Sequence, residues 1–212
     1  MLELYCLRHG QTDLSRANMF CGSGTDAPMT PEGREMARQF AAFYQDISWQ
    51  AIYCSPLIRT RITAEIIAES KQMSPRIHDG LKEIGYGEWE GKTVKEVDRL
   101  YHDDHLSWIA DPAWYPPTNG ESATSVSARA LRVIEEIREE CADGKVLIVS
   151  HKATIRIAFC ALLGIDVGRF RYRLACPVGS VSIVEFGEHG PFIERIGDRA
   201  HLDKRLRNLP GT

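Results

Sequence analysis

Short apolar segments alternate along the chain with amphipathic ones. Residues 2–7 and 51–54 are rich in Leu, Tyr, Ile and Cys and predict β-strands. Residues 145–150 hold an uninterrupted Val-Leu-Ile-Val run, which is typical of a strand buried on both faces of a sheet. Residues 76–78 predict a third short strand, and residues 180–186 and 192–196 predict a hairpin.

Helices are predicted between these strands. Thr30 and Pro31 have the chemistry of a helix start, because a Thr oxygen accepts hydrogen bonds from free backbone N–H groups and Pro suits the first helical position. The predicted buried face of this helix consists of Met36, Phe40, Phe43 and Tyr44. The next helix is predicted from residue 55. Its predicted buried face consists of Ile58, Ile62, Ile66 and Ile67.

Two further helices complete the alternating order. One is predicted to start at Ser122 or Ser125, and the other covers residues 152–163 and ends at Gly164. Strands that alternate with helices predict an α/β fold, a three-layer sandwich with a mostly parallel central sheet flanked by helices. Ligands are expected beyond the carboxyl ends of the strands.

Residues 85–120 differ in composition from the rest of the chain. They hold three of the four Trp residues and a Pro-rich segment at residues 112–117. We interpret this region as a small, partly helical insertion over the active site, and the 212 residues as one domain, residues 1–212. Packing of the insertion is the expected role of Trp108, Trp114 and Tyr115, with a ligand stack as the alternative.

Composition and charge exclude several classes of protein. The 29 acidic and 26 basic residues give a net charge of -3, which argues against a general nucleic-acid binder. The longest apolar run, residues 157–165, is shorter than the roughly 20 residues of a membrane helix, and no secretion signal is recognised. The six cysteines form no Cys-x-x-Cys pair, so we expect reduced, mostly buried thiols in a cytoplasmic protein.

Charged residues stand where predicted strands meet the following loops or helices. Arg8 and His9 directly follow the first strand, and Arg59 lies in the first turn of the helix after the second. His151 follows the most apolar strand, and Glu83 precedes a Gly-rich turn. Each residue alone has a structural alternative, such as a His bound to a loop carbonyl or an Arg on the surface. Together they predict an anion site, because guanidinium groups and helix N-termini bind phosphate.

The motifs around these residues resemble those of the histidine phosphatase superfamily, also called the phosphoglycerate mutase-like family. The motifs are Arg-His-Gly-Gln-Thr at 8–12, Asp-Ala-Pro-Met-Thr-Pro-Glu-Gly at 26–33, Ser-Pro-Leu-Ile-Arg-Thr-Arg-Ile-Thr-Ala at 55–64, Glu83 with Tyr-Gly-Glu-Trp-Glu-Gly at 86–91, Gly-Glu-Ser at 120–122 and Val-Ser-His at 149–151. The resemblance spans residues 3–160.

The resemblance implies a metal-independent phosphomonoesterase that needs no cofactor. His9 is the implied nucleophile and forms a phosphohistidine; Arg8, Arg59 and His151 are implied to surround the phosphate oxygens. Glu83 is implied to protonate the leaving alcohol and then to help deprotonate water. The chemistry suits these residue types, because phosphoryl transfer depends on positioning and on positive charge, which two guanidiniums and an imidazolium can supply.

Further substrate-binding residues are expected near this core. They are Thr12, Ser15, Cys21, Gly22 and Lys152. Ser15 stands where many family members have Asn, Cys21 where Gln is common, and Lys152 where a small residue is usual. These departures put the substrate in doubt rather than the reaction. Lys152, with Arg16, either reaches a carboxylate on the substrate or faces solvent.

The resemblance leaves the substrate and two other functions open. Phosphoserine, α-ribazole phosphate and sugar phosphates are the substrate types that it implies. A phosphoglycerate mutase uses the same core but carries a longer insertion, and a non-catalytic phospho-ligand sensor would not need all five core residues. We expect a small phosphate ester as partner, no nucleic acid and no membrane; a homodimer is left open.

Two other charged segments carry no predicted site. His102 and His105 are spaced for a metal on one helical face, but a solvated helix end is the expected role. The basic residues 204–207 are expected to be a solvated tail, with packing over the site or a neighbouring subunit as the alternative.

Overall fold

A six-stranded sheet forms the centre of the computed structural model, which describes residues 1–211. The strands are β1 (Leu2–Arg8), β2 (Trp49–Cys54), β3 (Arg76–Ile77), β4 (Gly144–Ser150), β5 (Val181–Gly187) and β6 (Gly190–Asp198). Their order is β3-β2-β4-β1-β5-β6. The first four in this order are parallel, and β5 and β6 form the predicted antiparallel hairpin. The predicted α/β fold with a mostly parallel central sheet is confirmed.

Helices connect the strands. They are α1 (Asp13–Arg16), α2 (Pro31–Phe43), α3 (Ile58–Glu69), α4 (Val94–Leu100), α5 (His102–Ala110), α6 (Ala123–Glu140), α7 (Lys152–Leu162), α8 (Phe170–Arg173) and α9 (Lys204–Arg207). Thr30 caps α2 by accepting from the Gly33 N–H, as its sequence predicts. Ser122, not Ser125, caps α6, because the Ser122 hydroxyl accepts from the Ser125 N–H at 3.2 Å.

The helices cover both faces of the sheet. Successive side chains of β1 and β4 point to opposite faces, so Leu4 and Val146 pack on one side, with α6 and α7. Leu7 and Val149 pack on the other side, with α2 and α3. The result is the expected three-layer arrangement. All strands of its parallel part present their carboxyl ends at one edge of the sheet.

The predicted buried face of α3 is wrong at three of its four positions. Ile67 is buried, whereas Ile58 is exposed, and Ile62 and Ile66 are partly exposed. The buried side of α3 instead contains Arg59 together with threonine and alanine side chains. The Thr63 hydroxyl donates to the Arg59 carbonyl at 2.8 Å, so hydroxyl groups are satisfied within the helix itself. The buried face of α3 is therefore a polar one, and Arg59 lies on it.

The C-terminal segment packs against the body of the protein, so the prediction of a solvated tail is wrong. Leu206 of α9 is fully buried with Met36 and Leu202. The Gln11 side-chain amide donates to the Pro210 carbonyl at 2.6 Å. The basic side chains of α9 stay exposed, because the short helix is amphipathic.

Aromatic packing in the insertion follows the prediction only in part. Trp108 is buried against Trp89, whereas Trp114 and Tyr115 are exposed. Phe43 of α2, predicted to be buried, is also exposed, because α2 ends there.

The His102 and His105 pair has no metal-binding geometry. Both rings contact the Asp98 carboxylate; His102 is exposed, as expected, but His105 is buried beside Trp108. Across residues 1–211, no three His, Cys, Asp or Glu side chains are grouped to hold a metal ion. Over the same residues, no helix has the length and apolar character to cross a membrane.

The loop after β1 touches the first turn of α2 backbone to backbone. A Cβ atom on Gly10 would overlap the Gly33 carbonyl, and one on Gly33 would overlap the Gln11 carbonyl. The Thr30 N–H donates to the Gln11 carbonyl at 2.9 Å across the same contact. Two facing glycines therefore set the position of the loop that begins at His9.

We expect Gly33→Ala to lower the free energy of unfolding. Alanine favours helices by about 1 kcal/mol over glycine, but overlap with backbone costs about 1–3 kcal/mol and cannot be relieved by a rotamer change. Urea unfolding measures the difference. Arg38→Ala, an exposed change on the same helix, is the control and should shift stability by less than about 0.5 kcal/mol. A Gly33→Ala protein more stable than the wild type would contradict the close contact.

Candidate active site

The fold brings the five predicted core residues together. Arg8 ends β1 and His9 follows it; Arg59 lies in the first turn of α3, the helix after β2, and His151 follows β4. Because β2, β4 and β1 are parallel neighbours, these residues meet at one edge of the sheet. Glu83 completes the group from the turn before the insertion. All but His151 line one pocket, and the His151 ring lies buried 5.2 Å from the His9 ring, centre to centre.

His9 is held in one tautomer. Its Nδ1 lies 2.7 Å from the Gly10 carbonyl oxygen, which can only accept, so Nδ1 carries the hydrogen. The Nε2 atom is then the nitrogen with a free lone pair. Burial lowers the pKa of His9 well below its usual 6.5, and the charges of Arg59 and Arg8 lower it further. The ring is therefore neutral, with its free lone pair on Nε2.

His151 is also neutral, where the sequence predicts an imidazolium. Its Nδ1 accepts from Arg59 Nε at 3.3 Å, and its Nε2 lies 2.9 Å from the Ser55 hydroxyl. Burial lowers the pKa of His151 well below 6.5, and the charge of Arg59 adds to this effect. Since a guanidinium has no lone pair, the Nδ1 contact requires an unprotonated Nδ1. His151 therefore orients Arg59 in this arrangement.

Arg59 is enclosed by the loop that precedes α2. It donates to the Thr25 carbonyl at 2.8 Å and to the Gly22 carbonyl at 3.0 Å, with the Asp26 carboxylate at 3.8 Å. Gly22, a predicted substrate-binding residue, is not among the residues that line the pocket. Gly22 instead contributes its backbone carbonyl, which accepts a hydrogen bond from Arg59. A Cβ atom at Gly22 would overlap the Glu90 carboxylate and the backbone after Glu83.

Arg8 is almost fully buried and has no acidic partner among residues 1–211. One terminal nitrogen donates to the Cys176 carbonyl at 2.8 Å. The Nε atom is buried without a hydrogen-bond partner in the described part of the chain. A buried guanidinium with an unpaired donor favours the approach of an anion.

Glu83 reaches from its turn to the N-terminus of α7. One carboxylate oxygen accepts from the Thr154 N–H and hydroxyl, both at 3.1 Å, and the other accepts from the Ala153 N–H at 3.2 Å. These are free N–H groups of the first helical turn, at the positive end of the helix dipole. The carboxylate is thereby held beside the residues that follow His151.

Arg129 of α6 supports the turn that carries Glu83. Its guanidinium donates to the carbonyls of Gly80 at 2.8 Å, Lys82 at 2.7 Å and Glu83 at 3.2 Å. It also forms two hydrogen bonds with the Glu121 carboxylate, at 2.8 and 2.9 Å. Sequence reasoning missed Arg129. Its partner Glu121 stands in the Gly-Glu-Ser motif at 120–122, which was the available signal.

The other predicted substrate-binding residues all line the pocket, whereas Arg16 does not. Thr12, Ser15, Cys21 and Lys152 line the pocket. Thr12 and Ser15 also cap α1 by exchanging backbone-to-hydroxyl hydrogen bonds at 3.0 and 3.1 Å. Arg16 is exposed, pairs with Asp13 at 2.6 Å and does not line the pocket, so the solvent-facing alternative is the correct one for Arg16.

The insertion, α7 and α8 contribute further residues to the pocket wall, as does the loop at residues 18–20. Tyr86 and Trp108 from the insertion line the pocket, so the insertion lies over it as predicted. Arg156 of α7 and Phe170 and Arg171 of α8 also line it. Sequence reasoning missed these three. Arg156 is one helical turn after Lys152 and could have been found from that spacing, whereas Arg171 carries no local signal.

The chain is similar to known proteins over nearly its whole length. The family model of the histidine phosphatase superfamily (branch 1) matches residues 4–199. Phosphoserine phosphatase 1 of Hydrogenobacter thermophilus is 31% identical over 202 residues, 95% of each chain. The adenosylcobalamin/alpha-ribazole phosphatase of Escherichia coli is 26% identical over 163 residues, 77% of this chain and 80% of that one. The solved structure of Bacillus stearothermophilus YhfR superposes with a TM-score of 0.88 at 27% identity, over 95% and 99% of the two chains.

We expect both site histidines to stay neutral as the pH falls through 6.5. Because their pKa values are lowered, the folded protein binds fewer protons than the unfolded chain in this range. The free energy of unfolding therefore decreases as the pH decreases. NMR of ring-labelled histidine, assigned with His9→Asn and His151→Asn, follows each ring. The urea-unfolded chain is the reference. Protonation of both rings near pH 6.5 in the folded protein would contradict the buried, cation-flanked site.

Proposed function

The chain belongs to the histidine phosphatase superfamily and is a phosphoric monoester hydrolase, and we propose that His9 is the nucleophile of its reaction. The observation that carries this proposal is the state of His9: neutral, held through Nδ1 by the Gly10 carbonyl, and flanked by Arg8 and Arg59. A neutral imidazole is a competent nucleophile near pH 7, and covalent catalysis divides one displacement into two.

The proposed reaction has two steps. His9 Nε2 attacks phosphorus, the N–P bond forms as the ester P–O bond breaks, and the leaving oxygen takes a proton from Glu83. A water molecule then attacks phosphorus, Glu83 takes its proton, and the N–P bond breaks. Inorganic phosphate is released and His9 returns to its neutral state. The hydrogen bonds from α7 to Glu83 fix the carboxyl beside the reaction centre.

Arg8 and Arg59 are proposed to stabilise the transferred phosphoryl group. Its equatorial oxygens carry the charge in the transition state, so fixed cations lower the barrier. A guanidinium has five N–H donors, and Arg59 uses three of them on His151, Thr25 and Gly22, which leaves two. Arg8 has its unpartnered Nε in addition to a terminal nitrogen. Charge is therefore available without breaking the contacts that hold either side chain.

We propose a small phosphorylated metabolite as substrate. The relatives named phosphoserine phosphatase and adenosylcobalamin/alpha-ribazole phosphatase support this class. The same names favour hydrolysis over the mutase reaction, and the assembled nucleophile and proton donor favour catalysis over sensing alone. The cytoplasm is the proposed location, supported by six cysteines that are all free thiols. The single domain of residues 1–212 stays a prediction, and its last residue, Thr212, lies outside the described part; a homodimer stays open.

His9→Ala should lower the turnover of p-nitrophenyl phosphate by at least about 10³-fold, because it removes the nitrogen that forms the covalent intermediate. Brief reaction of the wild type with ³²P-labelled substrate should leave an acid-labile, base-stable phosphoryl group on the protein. His189→Ala, an exposed histidine in the hairpin turn, is the matched control and should keep both properties. Appreciable turnover by His9→Ala would refute the assignment.

Glu83→Gln should slow the hydrolysis of phosphoserine by about 10²–10⁴-fold, the usual contribution of a proton donor. The loss should be smaller for p-nitrophenyl phosphate, because p-nitrophenolate leaves without a proton. Steady-state kcat on both substrates measures the difference. Glu188→Gln, at an exposed turn, is the control. An equal loss on both substrates would show that Glu83 positions other groups and does not donate the proton.

A further inference from the structure

Three cations line the pocket in addition to Arg8 and Arg59. They are Lys152 and Arg156 of α7 and Arg171 of α8. Within residues 1–211, none of the three forms an ion pair with a carboxylate. The proposed reaction uses none of them. Arg156 is buried and Lys152 and Arg171 are partly buried, and cations in such surroundings without counter-charges favour the binding of an anion.

Arg156 is the most enclosed of the three. Only 8% of the residue is exposed, and its Nε is buried with no hydrogen-bond partner in residues 1–211. One terminal nitrogen donates to the Arg171 carbonyl, and the guanidinium carbon lies 5.6 Å from the centre of the Phe170 ring. A charged donor that is both buried and unpaired raises the free energy of the folded protein. A ligand oxygen that accepted from it would offset that cost.

Arg171 is fixed by aromatic side chains. Its guanidinium carbon lies 4.0 Å from the centre of the Trp108 ring, and one nitrogen donates to the Tyr172 hydroxyl at 3.3 Å. Stacking on an indole holds the guanidinium plane without neutralising its charge. Trp108 belongs to the insertion, so α5 and α8 together orient this cation at the pocket.

Lys152 lies close to other positive groups. Burial lowers the pKa of its ammonium to about 8, and the charges of Arg8 and Arg156 act in the same direction. Arg156 is four residues farther along α7, on the same face of the helix. An anion between the two side chains would relieve this repulsion.

A second depression adjoins the pocket. The three cations lie at the edge that the two spaces share. Lys152, Arg156, Arg171 and Arg8 line both spaces, whereas His9 lines the pocket and not the depression. A substrate with its phosphorus at His9 can therefore direct its alcohol part toward this edge. The cations are placed to meet that part of the ester.

We propose that Lys152, Arg156 and Arg171 form an anion subsite for a second acidic group, a carboxylate or a phosphate, on the alcohol part of the substrate. The inference rests on the proposed function, in which Arg8 and Arg59 hold the transferred phosphoryl group at His9. Two guanidinium planes and an ammonium suit an oxyanion, because they provide paired donors and a mobile point charge.

Matched substrate pairs test the subsite. Phosphoserine and phosphoethanolamine differ only in a carboxylate; propane-1,3-diol bisphosphate and 3-hydroxypropyl phosphate differ only in a second phosphate. We expect the wild type to favour the acidic member of at least one pair by about tenfold or more in kcat/KM, the effect of one charge-assisted hydrogen bond. The pair that shows the preference identifies the acidic group.

Variants assign the preference to these side chains. Lys152→Met and Arg171→Gln should each reduce it at least about threefold, mainly through KM, because the contact is made in both ground and transition states. Lys152→Arg keeps the charge and should keep most of the preference. Arg132→Gln, an exposed arginine on α6 that lines neither the pocket nor the depression, is the control and should leave it unchanged. Circular dichroism checks that each variant folds, and Arg156, being buried, is left intact.

The experiments distinguish failure of the anion subsite from failure of the proposed function. A wild type that hydrolyses p-nitrophenyl phosphate through His9 but favours neither acidic substrate would overturn the subsite and leave the proposed function standing. A preference that survives both Lys152→Met and Arg171→Gln would also overturn it. Turnover of p-nitrophenyl phosphate by His9→Ala would refute the proposed function instead.

Discussion

The crowding of positive charge in one buried pocket is the constraint on which the rest of the site depends. The cations are Arg8, Arg59, Lys152, Arg156 and Arg171, and Glu83 is the carboxylate that lines the pocket with them. Like charges in a poorly solvated space repel each other and oppose any further protonation. Burial is the main reason that the two histidines are neutral, and these charges add to it; neutrality is what a nitrogen nucleophile requires. The same excess of charge makes the pocket a receptor for anions.

Backbone carbonyls, rather than carboxylates, hold most of these cations in place. Arg8 donates to the Cys176 carbonyl, Arg59 to those of Thr25 and Gly22, and Arg156 to that of Arg171. A carbonyl dipole satisfies a donor but leaves the full charge of the guanidinium in the site. Carboxylates in the same positions would have formed ion pairs and competed with the substrate. The structure thereby keeps its cations both ordered and available.

The sequence predicts the parts of the site that follow directly from strand ends. His9, Arg59 and His151 could be placed because apolar runs mark the strands, and parallel strands share one carboxyl edge. Arg129 and Arg171 could not, since their roles depend on contacts between segments far apart in the chain. The predicted buried face of α3 is wrong for a related reason. Its isoleucines follow helical spacing, but the helix turns its polar side inward to carry Arg59, which only the tertiary arrangement decides.

The stacking of Arg171 on Trp108 joins the proposed anion subsite to the insertion. The proposed nucleophile His9 and the arginines Arg8 and Arg59 stand instead at the end of a strand and in the first turn of a helix. Surface segments of this kind accept sequence changes and altered lengths far more readily than the sheet that they cover. Evolution could therefore exchange the alcohol that is recognised by remodelling α5 and α8, with the hydrolytic machinery left intact. Such a division lets one ancestral catalyst give rise to enzymes of different metabolic pathways.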